Sequence, residues 1–293
     1  MKRKDRTFLI IAFLLPSVFL YCLFVIYPYL KAFYISLFNW SGLSLYKDFV
    51  GLENFSRLFR DPVFWTALKN NLFIWIIGGS CIVGLTLFFS LVISNRPSSA
   101  SIYRTAFFFP YLISLAAVAV LWSFIYNPTF GLLNSVLRGV GLESLTHAWL
   151  GETRTALPAV TATIIWYSNG FYLILFLSAI SNIPPSLIEA AKVDGASLFQ
   201  RAIFITIPLI REIFKIAIVY ITINTLNIFD VIYVMTVGGP NRRTEVLATY
   251  MYEQAFRNSD FGYGTAISVM LFLFTIVISV FLFRLLTKET LEY

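Results

Sequence analysis

Histidine occurs once and cysteine twice in this chain, and only 13% of its 293 residues are charged. Each shortage removes a class of protein. Soluble domains are about 25% charged, so half that, beside 58% hydrophobic residues, leaves too little polar surface for a water-soluble globule. The lone His147 sits in a polar loop with no partner in sight, and is read as solvated; it can build neither a His-Glu-x-x-His site nor a Ser/His pair. Cys22 and Cys81 lie in separate apolar runs, make no disulfide framework or metal cluster, and read as packing residues. None of the eight lysines follows a glycine, which excludes the Gly-Lys end of a phosphate-binding loop. No catalytic residue, metal ligand or cofactor is expected.

What is abundant is apolar length. A bilayer core takes about 20 apolar residues per helix, and residues 8–30, 71–93, 105–126, 156–180, 212–237 and 265–286 qualify. Pro16 and Pro110 fall near the beginnings of their runs. The fold class is an all-α integral membrane protein with six transmembrane helices. The pI near 9.4 does not signal nucleic acid, because the basic residues flank apolar runs instead of forming one patch. With the N-terminus inside, 12 of the 22 basic residues fall in the shorter inner segments, at nearly twice the outer density. The expectation is a multi-pass protein of the cell membrane, in contact with lipid, with both termini cytoplasmic. Trp40, Trp65, Trp122 and Trp149 fit an interfacial belt, and 238–240 and 261–264 read as turns before and after the last outer loop.

Between the fourth and fifth runs lies a polar island on the cytoplasmic side. Pro184-Pro185 suit a helix start and Gly195 a left-handed stop, giving a helix over about 186–194. Ser197 and Gln200 match a capping box that opens a second helix, expected to stop before Pro208. Leu187, Ala190, Ala191 and Asp194 share one edge at helical spacing, with Glu189 and Lys192 toward another. Small alanines let a helix enter a narrow protein cleft, whereas a helix lying on lipid shows bulky apolar and Lys/Arg-rich faces. The edge favours a protein partner.

The sequence Glu189-Ala-Ala, three residues, Gly195, nine residues, Ile205-Thr-Ile-Pro208 resembles the signature loop of the permease subunits of binding-protein-dependent ABC importers, with Ile207 where the family pattern has leucine. Phe49-Val-Gly-Leu-Glu-Asn-Phe55, Asp61-Pro-Val-Phe-Trp65, Gly238-Gly-Pro240, Tyr252-Glu-Gln-Ala-Phe256 and Asp260-Phe-Gly-Tyr263 are similar to its carbohydrate-uptake branch. The resemblance implies a type I ABC importer permease fold. Residues 1–66 would form an N-terminal helix and outer loop, 67–287 a five-helix transmembrane domain with its coupling loop at 184–208, and 288–293 a cytoplasmic tail. It also implies partners: a second permease subunit in a heterodimer, a cytoplasmic ATPase dimer that hydrolyses ATP, and an extracytoplasmic sugar-binding protein. Glu189, Ala190, Ala191, Asp194, Gly195 and Pro208 would form the ATPase-coupling helix and its return.

Polar residues inside spans mark a substrate path. Tyr220, Asn224, Asn227 and Asp230 fall in a stripe of about 120° along the fifth run if it is one helix. The fourth adds Trp166, Tyr167, Ser168, Asn169 and Phe171 around Gly170. Amides and aromatic faces suit the hydroxyls and apolar face of a sugar. Two readings stay open at each place: Asn224 and Asn227 as ligand contacts or interhelical hydrogen bonds, Asp230 as ligand or as an anchor paired to Arg242 or Arg243, and the Gly170 cluster as a sugar site or as packing. No arginine lies in a span interior, which favours sugar over glycerol phosphate as cargo. A membrane sensor or scaffold using the same cytoplasmic helix is the rival from another class.

Overall fold

The computed structural model describes residues 3–95 and 100–287, with side-chain surroundings for 12–95 and 101–287. The tail 288–293 therefore lies outside the described residues. Five helices are long and apolar enough to cross a membrane, or six if one bent pair forms a single span. In chain order they are α1 (Ala12–Ile35), α3 (Pro62–Ser94), the pair α4 (Ser101–Leu112) and α5 (Leu115–Ile125), α6 (Ala156–Ser181), the span Arg211–Met235 and α11 (Phe261–Leu286). Within these, a short hairpin of β1 (Phe38–Asn39) and β2 (Asp48–Phe49) precedes α2 (Glu53–Arg60).

Two expected straight spans are bent or broken. The third turns by 96° between α4 and α5. Pro110 lacks the N–H that an α-helix would use, the chain tightens over Phe109–Leu112, and Ser114 caps α5 by accepting the Ala117 N–H at 3.3 Å. The fifth run divides into α9 (Arg211–Leu226) and α10 (Asp230–Met235). Asn71 of α3 donates its amide to the Leu226 carbonyl at 2.9 Å, holding the chain where α9 stops.

Prolines meant to end helices do not always do so. Cys22–Ile26 and Ala202–Thr206 form wide turns in which the Tyr27 and Ile207 N–H groups reach back five residues. Pro28 and Pro208 follow directly. A proline ring collides with the carbonyl four residues back; the wide turn moves that carbonyl aside, and the helix runs on. The second island helix thus continues through Pro208 to Leu209 as α8 (Leu198–Leu209), beyond its expected end.

Contacts group the chain into two units. One contains the described residues up to Phe64 with Tyr250–Phe272. There α1 has none of its most apolar window buried, and presents side chains such as Phe13 and Phe24 outward. The Asn54 amide, buried, donates to the Ser36 and Phe38 carbonyls at 2.9 and 3.0 Å, tying α2 to the hairpin. Asp61 opens α3 by accepting the Val63 N–H at 2.8 Å, and its other oxygen accepts from the hydroxyls of Tyr250 and Tyr263. Arg57 pairs with Asp260 at 2.6 Å and stacks on the Tyr263 ring. Residues 261–264 are the first turn of α11, not a separate turn. A Cβ at Gly262 would fall on the Phe38 carbonyl oxygen, so glycine there permits a close backbone approach.

The other unit contains Trp65–Thr249 and the residues from Leu273 on. Its core joins α3, α6 and α9 through Ile82, Tyr172, Phe176, Ala217 and Ile221. Gly170 lies directly against the backbone of Phe107 and Phe108, where any Cβ would overlap the Phe107 carbonyl. A second structure is polar. The buried Glu245 carboxylate accepts from Arg242 Nη1 at 2.8 Å and Thr249 Oγ1 at 2.5 Å, while Asn70 donates to the Glu245 carbonyl at 2.8 Å. Arg242 is thus engaged by Glu245. The two cysteines are exposed on the chain, not packed in its interior. His147 has a partner after all: its Nδ1 lies 3.1 Å from Glu152 Oε2. Trp122 stacks edge-on against Trp166 at 5.4 Å.

Candidate functional sites: a helical elbow and a membrane cavity

The elbow begins with α7 (Pro185–Val193). Gly195, at φ +78°, ends it: the Gly195 N–H donates to the Lys192 carbonyl at 3.1 Å and the Ala196 N–H to the Ala191 carbonyl at 2.9 Å. This pair of bonds is the Schellman closure that a left-handed glycine permits. Ser197 and Gln200 then form the full capping box of α8. Glu189, Ala190, Asp194, Gly195 and Pro208 are exposed, but Ala191 is 8% exposed and turned inward as packing. Neither Glu189 nor Lys192 has an ion-pair partner among the described residues.

Sequence reasoning missed the apolar part of this surface. Val193, Phe199 and Phe204 are 87%, 72% and 75% exposed around the elbow. These exposed apolar side chains accompany the polar residues of the elbow. Of the expected alanine edge, Ala190 is exposed and Ala191 is buried. The available signal was the apolar run 203–205 inside a segment otherwise read as polar.

The cavity lies between α4, α6 and the break in the fifth span. It has a volume of about 280 Å³ and is lined by Tyr111, Tyr167, Ser168, Tyr172, Asn224, Asn227 and Asp230 among others. Asn224 donates to the Tyr172 hydroxyl at 3.4 Å, and Asn227 donates to the Ile223 carbonyl at 2.8 Å. Asp230 stands at the start of α10 and makes no ion pair among the described residues, with Arg242 held by Glu245. Of the expected path residues, Tyr167, Ser168, Asn224, Asn227 and Asp230 meet here.

The others do not line this cavity. Phe171 stacks on Tyr111 at 5.1 Å and meets the exposed Tyr220 ring at 5.5 Å in a tilted contact, forming an aromatic cluster beside the cavity. Trp166 packs on Trp122. Asn169 is buried and donates to the Ile165 carbonyl of its own helix at 2.8 Å. Tyr111 and Tyr172 were missed because aromatics in an apolar run read as ordinary packing. Their positions follow from the bend after Pro110 and from the α6 face that carries Ser168.

A family model described as the inner membrane component of binding-protein-dependent transport systems matches residues 82–288. The chain belongs to that family. Its permease relatives include the probable ABC transporter permease protein YurN of Bacillus subtilis, 38% identical over 91% of this chain and 92% of the relative. The diacetylchitobiose uptake system permease protein NgcF of Streptomyces coelicolor is 36% identical over 95% of this chain and 82% of that one. A chain in the crystal structure of a bacterial ABC transporter involved in the import of the acidic polysaccharide alginate superposes with a TM-score of 0.83 at 25% identity, over 97% of this permease and 98% of that chain. The all-α multi-pass fold is therefore that of type I ABC importer permeases. As a family member, the permease works as one component beside a binding protein and an ATPase.

Proposed function

We propose that this chain is the membrane-spanning permease subunit of an ATP-driven importer that moves a sugar handed over by an extracytoplasmic binding protein. The observation that carries this reading is continuity: the exposed elbow α7–α8 ends at Leu209, α9 starts at Arg211, and the far end of α9 carries Asn224 into the cavity wall. A push on the elbow reaches the cavity through one stiff element. The elbow faces the cytoplasm, as the charge bias argues, and seats in a cleft of the ATPase dimer through Glu189, Ala190, Asp194 and the apolar collar of Val193, Phe199 and Phe204. Gly195 sets the angle between its helices.

The cavity gives passing sugar hydroxyls the amides of Asn224 and Asn227 and the hydroxyls of Ser168 and the tyrosines, beside aromatic faces. A second, different permease closes the pathway, since the cavity residues Asn224, Asn227 and Asp230 remain exposed on the single chain. In this reading residues 67–287 are the working transmembrane domain, and residues 1–66 add a peripheral helix and outer structure. Saccharide cargo is supported by relatives named for diacetylchitobiose and alginate uptake.

Reconstituting the permease with its partner permease, ATPase and binding protein tests the reading. Glu189→Lys should uncouple the machine, lowering sugar-stimulated ATP hydrolysis and uptake by about tenfold or more, the loss expected when a charged contact worth about 1.4 kcal/mol is reversed. Undiminished uptake in that variant would remove the elbow from the drive train.

A further inference from the structure

The cavity has a sign. Its polar lining consists of neutral hydroxyls and amides plus one carboxylate, Asp230, and among the described residues no Lys, Arg or His lines it. Two cations of this unit are held by other acids: Lys215 pairs with Glu212 at 2.6 Å and Arg242 with Glu245 at 2.8 Å. Asp230 has no ion pair with either, nor with Arg243. A charge inside a low-dielectric wall is weakly screened and focuses its field into the open space beside it. A carboxylate is also an acceptor only, so it takes hydrogen bonds from sugar hydroxyls and repels another anion.

We propose that Asp230 is a specificity-determining residue, making the cavity a path for uncharged sugars that turns away acidic ones such as uronates, sulfonates and phosphosugars. This rests on the sugar-permease reading and deepens it. It also separates the chain from its structural neighbour, whose cargo is an acidic polysaccharide despite the shared fold. Acid recognition would favour forked guanidinium donors or grouped backbone N–H groups aimed at the cargo. In this chain the head of α10 holds a carboxylate instead.

Thiol modification tests the sign of the cavity without relying on delivery by a binding protein. Cys22 and Cys81, both exposed, are first replaced by serine. A thiol is then introduced by Asn227→Cys, and independently by Ser168→Cys, in the assembled importer in nanodiscs. Neutral, cationic and anionic methanethiosulfonates of matched size are compared, each rate divided by that of the same reagent with a free thiol. The cationic reagent should outpace the anionic one by about tenfold, at the low end of the enhancement a charged cleft produces. Adding Asp230→Asn should bring the ratio close to one while the neutral reagent keeps its rate.

A ratio that Asp230→Asn leaves in place, at both thiol positions, overturns the proposal. Uptake of a neutral oligosaccharide by the cysteine-free importer is measured in parallel. Failure of all such uptake with an intact, Asp230-dependent ratio sinks the sugar reading and leaves the filter standing. Sugar uptake with no Asp230-dependent ratio does the reverse.

Discussion

Two kinds of carboxylate stand in this molecule, and they sit in different regions. Asp61 and Glu245 are enclosed by donors: tyrosine hydroxyls and backbone amides around one, Arg242 and Thr249 around the other. Glu189 on the elbow and Asp230 in the cavity have no ion pair among the described residues. An enclosed charge recovers its lost hydration through its own chain, and so fixes structure. An open one keeps its field and acceptor oxygens free for something outside the chain. On the proposed function, the first pair serves stability and the second acts on something outside the chain.

The strongest way to break that division is at Glu245. Its side chain is 3% exposed and that of Arg242 is 39% exposed. Glu245→Ala leaves Arg242 able to turn toward water, but deprives Thr249 of its acceptor and opens space beside Gly238, where an added Cβ would meet the carboxylate. The expected cost is about 2–3 kcal/mol, toward the low side of a broken buried pair, read as a lower apparent Tm of the purified complex in detergent. Unchanged thermal stability would erase the distinction between the two kinds of acid.

Asp61 sharpens the comparison through pH. Burial opposes its ionisation, but the Tyr250 and Tyr263 hydroxyls and the Val63 and Phe64 amides outweigh that and hold its carboxyl below the ordinary value of 3.8. Folding therefore favours the ionised form. Its contribution is whole above that ordinary value, and drains away as pH falls through it toward the lower folded value. The apparent Tm of the native protein should decline over this acid window by more than that of Asp61→Asn, which has no carboxylate to protonate. Parallel declines would mean that the tyrosine cage does not select the ionised carboxyl.

The regions also differ in how openly the sequence states them. At the elbow, Gly195 and the Ser197–Gln200 box act within six residues, so local chemistry alone writes the bend and both helix ends. Residues 156–180 are long and apolar, and α6 runs Ala156–Ser181, unbroken. The break after Leu226 has no proline or glycine to announce it, and the Leu226 carbonyl is met by Asn71, far back in the chain. Glu245 and Asn70 are likewise brought together only by the fold. Apolar residues such as Phe204 and Phe171 read alike in sequence, yet one is exposed on the elbow and the other is stacked on the cavity residue Tyr111. Periodicity finds a helix face but does not say what covers it.

The smallest expected effect is also the cleanest discriminator. Glu189→Gln and Asp230→Asn each keep the side chain's shape and remove a charge that no ion pair within the described chain uses. Substitutions free of such internal dependence usually change stability by less than about 0.5 kcal/mol, so the apparent Tm of either variant should stay within a degree or two of the parent. A loss of about 1 kcal/mol or more in either would place that acid with Asp61 and Glu245 as a fixer of structure. Any transport defect would then follow from folding. With stability held, a defect in ATPase coupling for Glu189→Gln and a change in cavity selectivity for Asp230→Asn can be read as the separate consequences of two open charges, one on the elbow and one in the cavity wall.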